Sequence, residues 1–128
     1  MTPSLPTIMI IEDEALVRQV TAMEFEEAGF AVIAFAHADP ALEILAGDDR
    51  VDVLFTDISL PDSIDGWAIA RRARELRPAL PVIYATGYSA DPVQLVDGAY
   101  FFKKPYLPTA IIAAVHNMLA KNTGATTP

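Results

Sequence analysis

Residues 51–57 read VDVLFTD, an apolar run that ends in the carboxylate of Asp57, and residues 58–61 read ISLP, a turn sequence. A short, nearly continuous apolar run is typical of a strand that is buried on both faces of a parallel sheet. In open α/β sheets, ligands bind beyond the carboxyl ends of the strands. Asp57 therefore lies where such a fold places its chemistry.

A second strand of the same kind ends in a pair of acids. Residues 8–11 read IMII and are followed directly by Glu12 and Asp13. If the two strands are neighbours, three carboxylates converge at one edge of the sheet. Such a cluster repels itself, so it requires a divalent cation or shifted pKa values. The pattern predicts acyl-phosphate chemistry on Asp57.

Strands and helices alternate along the rest of the chain, which predicts parallel pairing through right-handed crossovers. Between residues 87 and 98 there is room for only a short or mobile fourth helix. The other elements are predicted as strands at residues 31–35, 81–86 and 99–103 and helices at residues 14–28, 39–46, 66–77 and 109–121.

The helix assignments rest on apolar spacing and on end signals. Leu16, Val20 and Met23 recur at i, i+4 and i+7 in the first helix, and Gly29 is expected to end it in a left-handed cap. In the second helix, Asp39 is expected to be the cap and Pro40 the first helical residue. The last helix is expected to turn five apolar residues inward: Ile111, Ile112, Val115, Met118 and Leu119.

Composition limits the class of protein. With 128 residues, 52% hydrophobic and 20% charged, the chain predicts one globular domain, with a core at about 7–121 and a flexible tail at 122–128. A formal net charge of −8 disfavours nucleic acid as a partner. Neither a signal peptide nor a membrane span is visible, so a cytoplasmic protein with no membrane partner is expected. A basic run is expected to be a solvated face: Arg71, Arg72, Arg74 and Arg77.

Reactive residue types follow the predicted strands in a fixed order: Glu12-Asp13, Asp57 with Pro61 and Asp65-Gly66, Thr86, and Lys104-Pro105. From residue 7 to about residue 121, this ordered set resembles the receiver domain of two-component response regulators. The fold that this resemblance implies is a flavodoxin-like (βα)5 doubly wound parallel sheet of five strands in the order 2-1-3-4-5.

The resemblance also implies a role for each residue. Asp57 would be the phosphoryl acceptor. Mg²⁺, or Mn²⁺, would be held by the carboxylates of Asp13 and Asp57 and by the backbone carbonyl of Ser59, with Glu12 acting mainly through a water. Thr86 would donate a hydrogen bond from its hydroxyl to the phosphoryl group, and Lys104 would supply a compact positive charge.

The expected function is that of a stand-alone response regulator. It would accept a phosphoryl group from a histidine kinase or a phosphotransfer protein and switch its contacts with a downstream protein target. It would be a phosphoacceptor rather than an enzyme, catalysing only its own phosphotransfer and autodephosphorylation. The alternatives are a degenerate receiver that acts as a constitutive interaction module, a phosphatase with a carboxylate nucleophile, and an FMN carrier of the same fold class.

The chain departs from the receiver pattern in several places. The interval from Pro61 to Gly66 is one residue longer than usual, and the first acid is Glu12 rather than aspartate. Residues 81–88, PVIYATGY, are similar to the PFxFATGY signature of a subgroup of stand-alone receivers, with Val and Tyr in place of its phenylalanines. Phe101 occupies the place of the switch tyrosine often found in receivers. Residues 87–106 are the expected two-state element.

Overall fold

The computed structural model describes residues 5–57, 66–86, 96, 98–103 and 107–122. Strands and helices alternate along these residues, and α4 denotes the helix that follows β5. The strands are β1 (Thr7–Ile11), β2 (Ala31–Phe35), β3 (Val53–Asp57), β4 (Val82–Thr86) and β5 (Tyr100–Lys103), and the helices are α1 (Ala15–Glu27), α2 (Ala38–Ala46), α3 (Gly66–Leu76) and α4 (Pro108–Asn122).

The strands form one sheet in the order β2-β1-β3-β4-β5. Every neighbouring pair is parallel, so the predicted fold class is confirmed. The chain leaves β1 for β2 on one side and then returns to place β3 on the other side. The carboxyl ends of β1 and β3 therefore flank the point where strand order reverses, which is where open sheets form a crevice.

Helices cover both faces of the sheet, and alternate residues of each strand explain how. In β1, Met9 and Ile11 face a core cluster shared with α2 and α3. Ile8 and Ile10 face the other cluster, which is shared with α1 and α4. Because successive side chains point to opposite faces, a strand covered on both sides must be apolar throughout. This is why β1 and β3 are nearly continuous apolar runs.

The end of α1 has the left-handed glycine that the sequence predicts. Gly29 has a φ of 96°. Its N–H donates to the Glu26 carbonyl at 3.1 Å, and the Phe30 N–H donates to the Phe25 carbonyl at 3.0 Å. The Phe25 and Phe30 rings meet edge to face with centroids 5.3 Å apart. These two hydrogen bonds and the ring contact make a complete Schellman motif, which turns the chain into β2.

The structure adds a detail to the prediction of α1 and shows that the predicted cap of α2 is wrong. Leu16 and Met23 are 73% and 60% exposed, so the apolar spacing that predicts α1 lies on its outer face. The buried residues of α1 are Thr21 and Phe25. In α2 the cap is His37, and Asp39 already lies in the first turn. Proline is tolerated within a first turn because the N–H it lacks has no partner there.

The remaining predictions agree with the described residues to within a few positions at the element ends. The inward residues of α4 are buried or partly buried, as expected. The predicted fourth helix, between residues 87 and 98, lies outside the described residues apart from Val96 and Gly98. No helix in the described ranges combines the length and the apolar character needed to cross a bilayer.

Substitution Gly29→Ala tests the left-handed turn. Nothing lies within 4 Å of the added Cβ, so the cost is backbone strain alone. We expect a loss of about 1 kcal/mol in the free energy of unfolding, measured by urea denaturation followed by circular dichroism. Gly47→Ala is the matched control, because Gly47 has a φ of −96°. It should be neutral or stabilise by about 0.5 kcal/mol. Equal losses in both variants would contradict the assignment.

Candidate functional site

The structure brings three predicted acids together at the carboxyl edge of the sheet. Ile11 of β1 pairs with Thr56 of β3, so the residues that follow them, Glu12 and Asp57, lie side by side. Carboxylate oxygens of Glu12, Asp13 and Asp57 all lie within 4.8 Å of one another. Glu12 and Asp57 are only 5% and 6% exposed, whereas Asp13 is exposed. The cluster therefore has two buried walls and one side open to solvent.

Backbone hydrogen bonds fix the turn that carries the acid pair. The Glu12 N–H donates to the Phe35 carbonyl at 2.9 Å, which extends the pairing of β1 with β2 by one residue. The Glu12 side chain accepts a bond from the Glu14 N–H at 3.1 Å. The Arg18 guanidinium donates to the Glu12 carbonyl at 2.8 Å. Three contacts thus hold this turn in place, and one of them supplies a positive charge beside the acids.

Arg18 is a site residue that the sequence analysis missed. It lies in the first turn of α1, six residues after the carbonyl that it binds. A cation one turn into the helix that follows an acid pair is a usable signal, because it is placed to reach back over the strand–helix junction. Such a residue fixes the backbone on which the two acids are mounted.

Thr21 is a second residue that the sequence analysis did not single out. It is only 6% exposed and lies on the buried face of α1, one turn before Phe25. With Glu12 and Asp57 it lines a cavity of about 10 Å³ behind the acids. A volume of this size is close to that of one water molecule. The inner face of α1 therefore changes from apolar to polar as it approaches the acidic edge.

The structure places only the backbone of the other predicted site residues, and not all of them. Asp57 pairs with Ala85 of β4, so Thr86 lies one residue further along the neighbouring strand. Thr86 pairs in turn with Lys103 of β5. Ser59 and Lys104 lie outside the described residues. Their predicted roles, and that of the Thr86 hydroxyl, stay predictions.

A larger hollow lies at the opposite edge of the sheet and does not resemble a reaction site. Its volume is about 370 Å³, and Val51, Leu80 and Leu119 are among its lining residues, together with Arg77. Arg77 uses its guanidinium to bind backbone carbonyls at the end of α2, including that of Gly47 at 2.9 Å. The prediction of a fully solvated basic face is therefore wrong for Arg77, which follows the last residue of α3. It is also wrong for Arg74, whose guanidinium donates to the Leu80 carbonyl at 2.6 Å.

The donor set of the acidic cluster suits a hard divalent cation. Mg²⁺ and Mn²⁺ prefer carboxylate oxygens, and Mg²⁺ commonly retains several waters. One exposed and two buried carboxylates offer such ligands on one side and leave the other side open. Without a cation, the negative charges repel one another at short range.

The chain is similar to known proteins both in sequence and in structure. The family model for the response regulator receiver domain matches residues 8–116. The chain is 36% identical over 111 residues to the C4-dicarboxylate transport transcriptional regulatory protein DctD of Rhizobium meliloti, which covers 84% of this chain and 24% of DctD. It is 35% identical over 83 residues to the response regulator receiver protein CpdR of Brucella abortus, which covers 65% of this chain and 68% of CpdR.

The structural comparison agrees with these matches. The crystal structure of a response regulator receiver protein from Sinorhizobium medicae superimposes with a TM-score of 0.87 at 30% identity, covering 93% of this chain and 98% of that one. The chain thus spans almost all of this solved structure, but only about a quarter of the length of DctD.

Substitution Asp13→Asn tests the repulsion within the cluster. Without divalent cations, we expect the free energy of unfolding of the variant to be about 1 kcal/mol higher than that of the unsubstituted chain, because one of three neighbouring charges is removed. Mg²⁺ should raise the melting temperature of the unsubstituted chain and have a much smaller effect on the variant. The exposed acid Asp48, beyond the end of α2, provides the control Asp48→Asn. A Mg²⁺ response that persists in Asp13→Asn would argue against the site.

Proposed function

The chain belongs to the family of response regulator receiver domains, and we propose that it accepts a phosphoryl group on Asp57 in a reaction that requires Mg²⁺ or Mn²⁺. Receiver domains are signalling proteins that interact with histidine kinases and with downstream effectors. The observation that carries the proposal is the cluster of Glu12, Asp13 and Asp57 within 4.8 Å at the switch point of the sheet. The donor would be a histidine kinase or a phosphotransfer protein.

The proposed reaction is an in-line transfer between two side chains. A carboxylate oxygen of Asp57 attacks the phosphorus of a phosphohistidine, and an O–P bond forms as the P–N bond breaks. The electron pair of the broken bond returns to the imidazole nitrogen. Asp57 is suited to this role because it ends a central strand that is paired on both sides. Its 6% exposure limits the directions from which a donor can approach.

The surrounding residues would bind and orient the reactants. Asp13 and Asp57, with the carbonyl of Ser59, are the proposed cation ligands, and Glu12 would act through a water. When bound, the cation would neutralise charge on the transferring oxygens. We propose that Thr86 and Lys104 bind the same oxygens, by a hydroxyl donor and an ammonium donor. The contact of Arg18 with the Glu12 carbonyl would hold the backbone of the acid pair in a fixed position relative to α1.

The outer face of α1 supports a protein as the phosphoryl donor. Leu16, Val20 and Met23 are 73%, 46% and 60% exposed. The stripe begins three residues after Asp13 in the chain and extends about 10 Å along the helix, at 1.5 Å per residue. Large apolar side chains grouped on one helix face mark a contact surface more often than isolated ones do. We propose that a helix of the donor packs on this stripe while its histidine reaches Asp57.

We propose further that the chain works as a stand-alone response regulator, with one domain whose core is residues 7–121. Its output would be a change in contacts with a protein target. The receiver protein CpdR, to which it is similar over 68% of the length of CpdR, supports this organisation. The net charge of −8 speaks against nucleic acid as a direct target.

Phosphorylation with a small donor tests the acceptor. We expect acetyl phosphate and Mg²⁺ to add one phosphoryl group to the unsubstituted chain, observed by intact-protein mass spectrometry, and expect no addition in Asp57→Asn. EDTA should suppress the addition. Asp39→Asn, which changes an exposed acid of α2, should be labelled normally. A chain that neither acetyl phosphate nor a phosphorylated kinase can label is a degenerate receiver, and the proposal is then wrong.

Substitution Met23→Lys tests the donor surface. Met23 lies at the far end of the stripe, so the acid cluster should be undisturbed. The donor for this test is the histidine kinase that phosphorylates the chain fastest in phosphotransfer profiling. We expect kcat/KM for transfer from this kinase to fall about tenfold, which corresponds to a loss of about 1.4 kcal/mol in transition-state stabilisation. Labelling by acetyl phosphate should be unchanged. Leu5→Lys is the matched control, because Leu5 is 55% exposed but precedes β1 at the opposite edge of the sheet. Equal effects of both substitutions would refute docking on α1.

A further inference from the structure

Tyr84 is a polar residue that is completely buried in the core on one face of the sheet. Its exposure is 0%, and it lies on β4 two residues before Thr86. Its ring packs against Trp67 of α3, with centroids 4.7 Å apart. Trp67 in turn stacks on Phe101 of β5, at 6.1 Å and an interplanar angle of 6°. Three aromatic rings therefore connect α3, β4 and β5 in series.

The hydroxyl of Tyr84 has a partner outside this series. It accepts a hydrogen bond from the backbone N–H of Val96 at 3.1 Å. The Val96 carbonyl accepts a bond from the Ala99 N–H at 3.1 Å. Gly98, between them, has a φ of 73°. Residues 96, 98 and 99 thus form a turn that leads directly into β5, and one side chain of β4 ties down the start of this turn.

This contact is built from neutral groups, and its acceptor oxygen belongs to a completely buried side chain. Burial raises the pKa of the Tyr84 hydroxyl above its ordinary value near 10, so the group is protonated at physiological pH. Val96, Ala99 and Phe101 pack against the same core cluster as Tyr84. Loss of the phenol oxygen would leave the Val96 N–H without the acceptor that it has in this structure, which costs free energy.

We infer that the Tyr84 hydroxyl couples the end of β4 to the turn before β5, so that a displacement of β4 reaches Val96 and Phe101 through this bond. The inference rests on the proposed function, in which a phosphoryl group on Asp57 is bound from the end of β4 by Thr86. The PFxFATGY signature that this chain resembles has phenylalanine at the position of Tyr84. The coupling is therefore a property of this sequence, supplied by one oxygen atom.

Two arrangements of the region would then differ in whether β4 and the turn move together. A hydrogen bond that is kept in both arrangements transmits a shift of β4 to the turn at Val96. Loss of this bond lets β4 and the turn move independently. The rings of Trp67 and Phe101 lie beside the bond and would record the movement. Trp67 is the single tryptophan of the chain, so its fluorescence reports on this region alone.

Substitution Tyr84→Phe in the full chain removes the hydroxyl and keeps the ring that packs on Trp67. The first measurement is amide hydrogen exchange by NMR without any ligand. We expect the Val96 amide to exchange about tenfold faster in the variant, whereas amides of β1 and β3 should be unaffected. Tyr100→Phe, which removes a hydroxyl from a partly exposed tyrosine of β5, is the matched control and should leave Val96 unchanged. Unaltered exchange at Val96 in Tyr84→Phe overturns the anchor.

The second measurement uses beryllofluoride with Mg²⁺ as the phosphoryl probe. In the unsubstituted chain, we expect amide shifts at residues 12, 13 and 57 and also at Val96 and Phe101, with a change in Trp67 fluorescence. In Tyr84→Phe, the shifts at residues 12, 13 and 57 should persist, and those at Val96 and Phe101 should fall by at least half. Equal responses at Val96 in both proteins overturn the coupling.

The two arms separate this inference from the proposed function. If beryllofluoride leaves residues 12, 13 and 57 of the unsubstituted chain unchanged, the proposed function and the coupling to it are both wrong. The exchange rate of Val96 is measured without the probe, and it decides by itself whether Tyr84 anchors the turn.

Discussion

The register of β1 against β3 is the constraint on which the rest of the site depends. Pairing Ile11 with Thr56 sets Glu12 beside Asp57 and gives Asp13 the outer position. A shift of one residue would turn the apolar side chains of β1 to the wrong core and would separate the acids. The same pairing that buries the apolar residues therefore forces like charges together. The fold accepts this repulsion at one edge, where a cation can relieve it.

Two apolar layers maintain that register against the repulsion. Because β1 and β3 are covered on both faces, each of their apolar residues packs into one of the two core clusters. The Schellman turn at Gly29 and the bonds to the Glu12 backbone complete the support on the side of α1. The chemical groups lie only where the strands end and the core stops. A rigid sheet thus holds a cluster that would disperse on a flexible loop.

The sequence was sufficient to predict the sheet and the acidic cluster. It did not predict contacts that depend on how the elements pack against one another. Continuous apolar runs predict strands covered on both faces, and acids that follow two of them predict convergence. In α1, by contrast, the exposed residues Leu16, Val20 and Met23 form a more continuous apolar stripe than the buried residues Thr21 and Phe25. Periodicity shows that a face is apolar but not what covers it. The bond of Arg18 to the Glu12 carbonyl has a signal only in the position of Arg18 one turn into the helix. The bond between Tyr84 and Val96 leaves no sequence pattern of its own.

The two sides of α1 show why the sequence did not predict which of its residues are buried beside the candidate site. Phe25 follows Leu16 by nine residues, two and a half turns, and therefore lies on the opposite side of the helix. One side carries Thr21 to the rear of the acids, and the other carries an apolar stripe away from their front. A helix that only covered a sheet would keep its large apolar residues on the inner side. In the proposed function, α1 instead serves two neighbours: the core of its own domain and the protein that delivers the phosphoryl group. Tyr84 and Val96 lie on the face of the sheet opposite to α1. The stripe on α1 that would bind the phosphoryl donor and the hydrogen bond that would transmit the change are therefore separated by β3, the strand that carries Asp57.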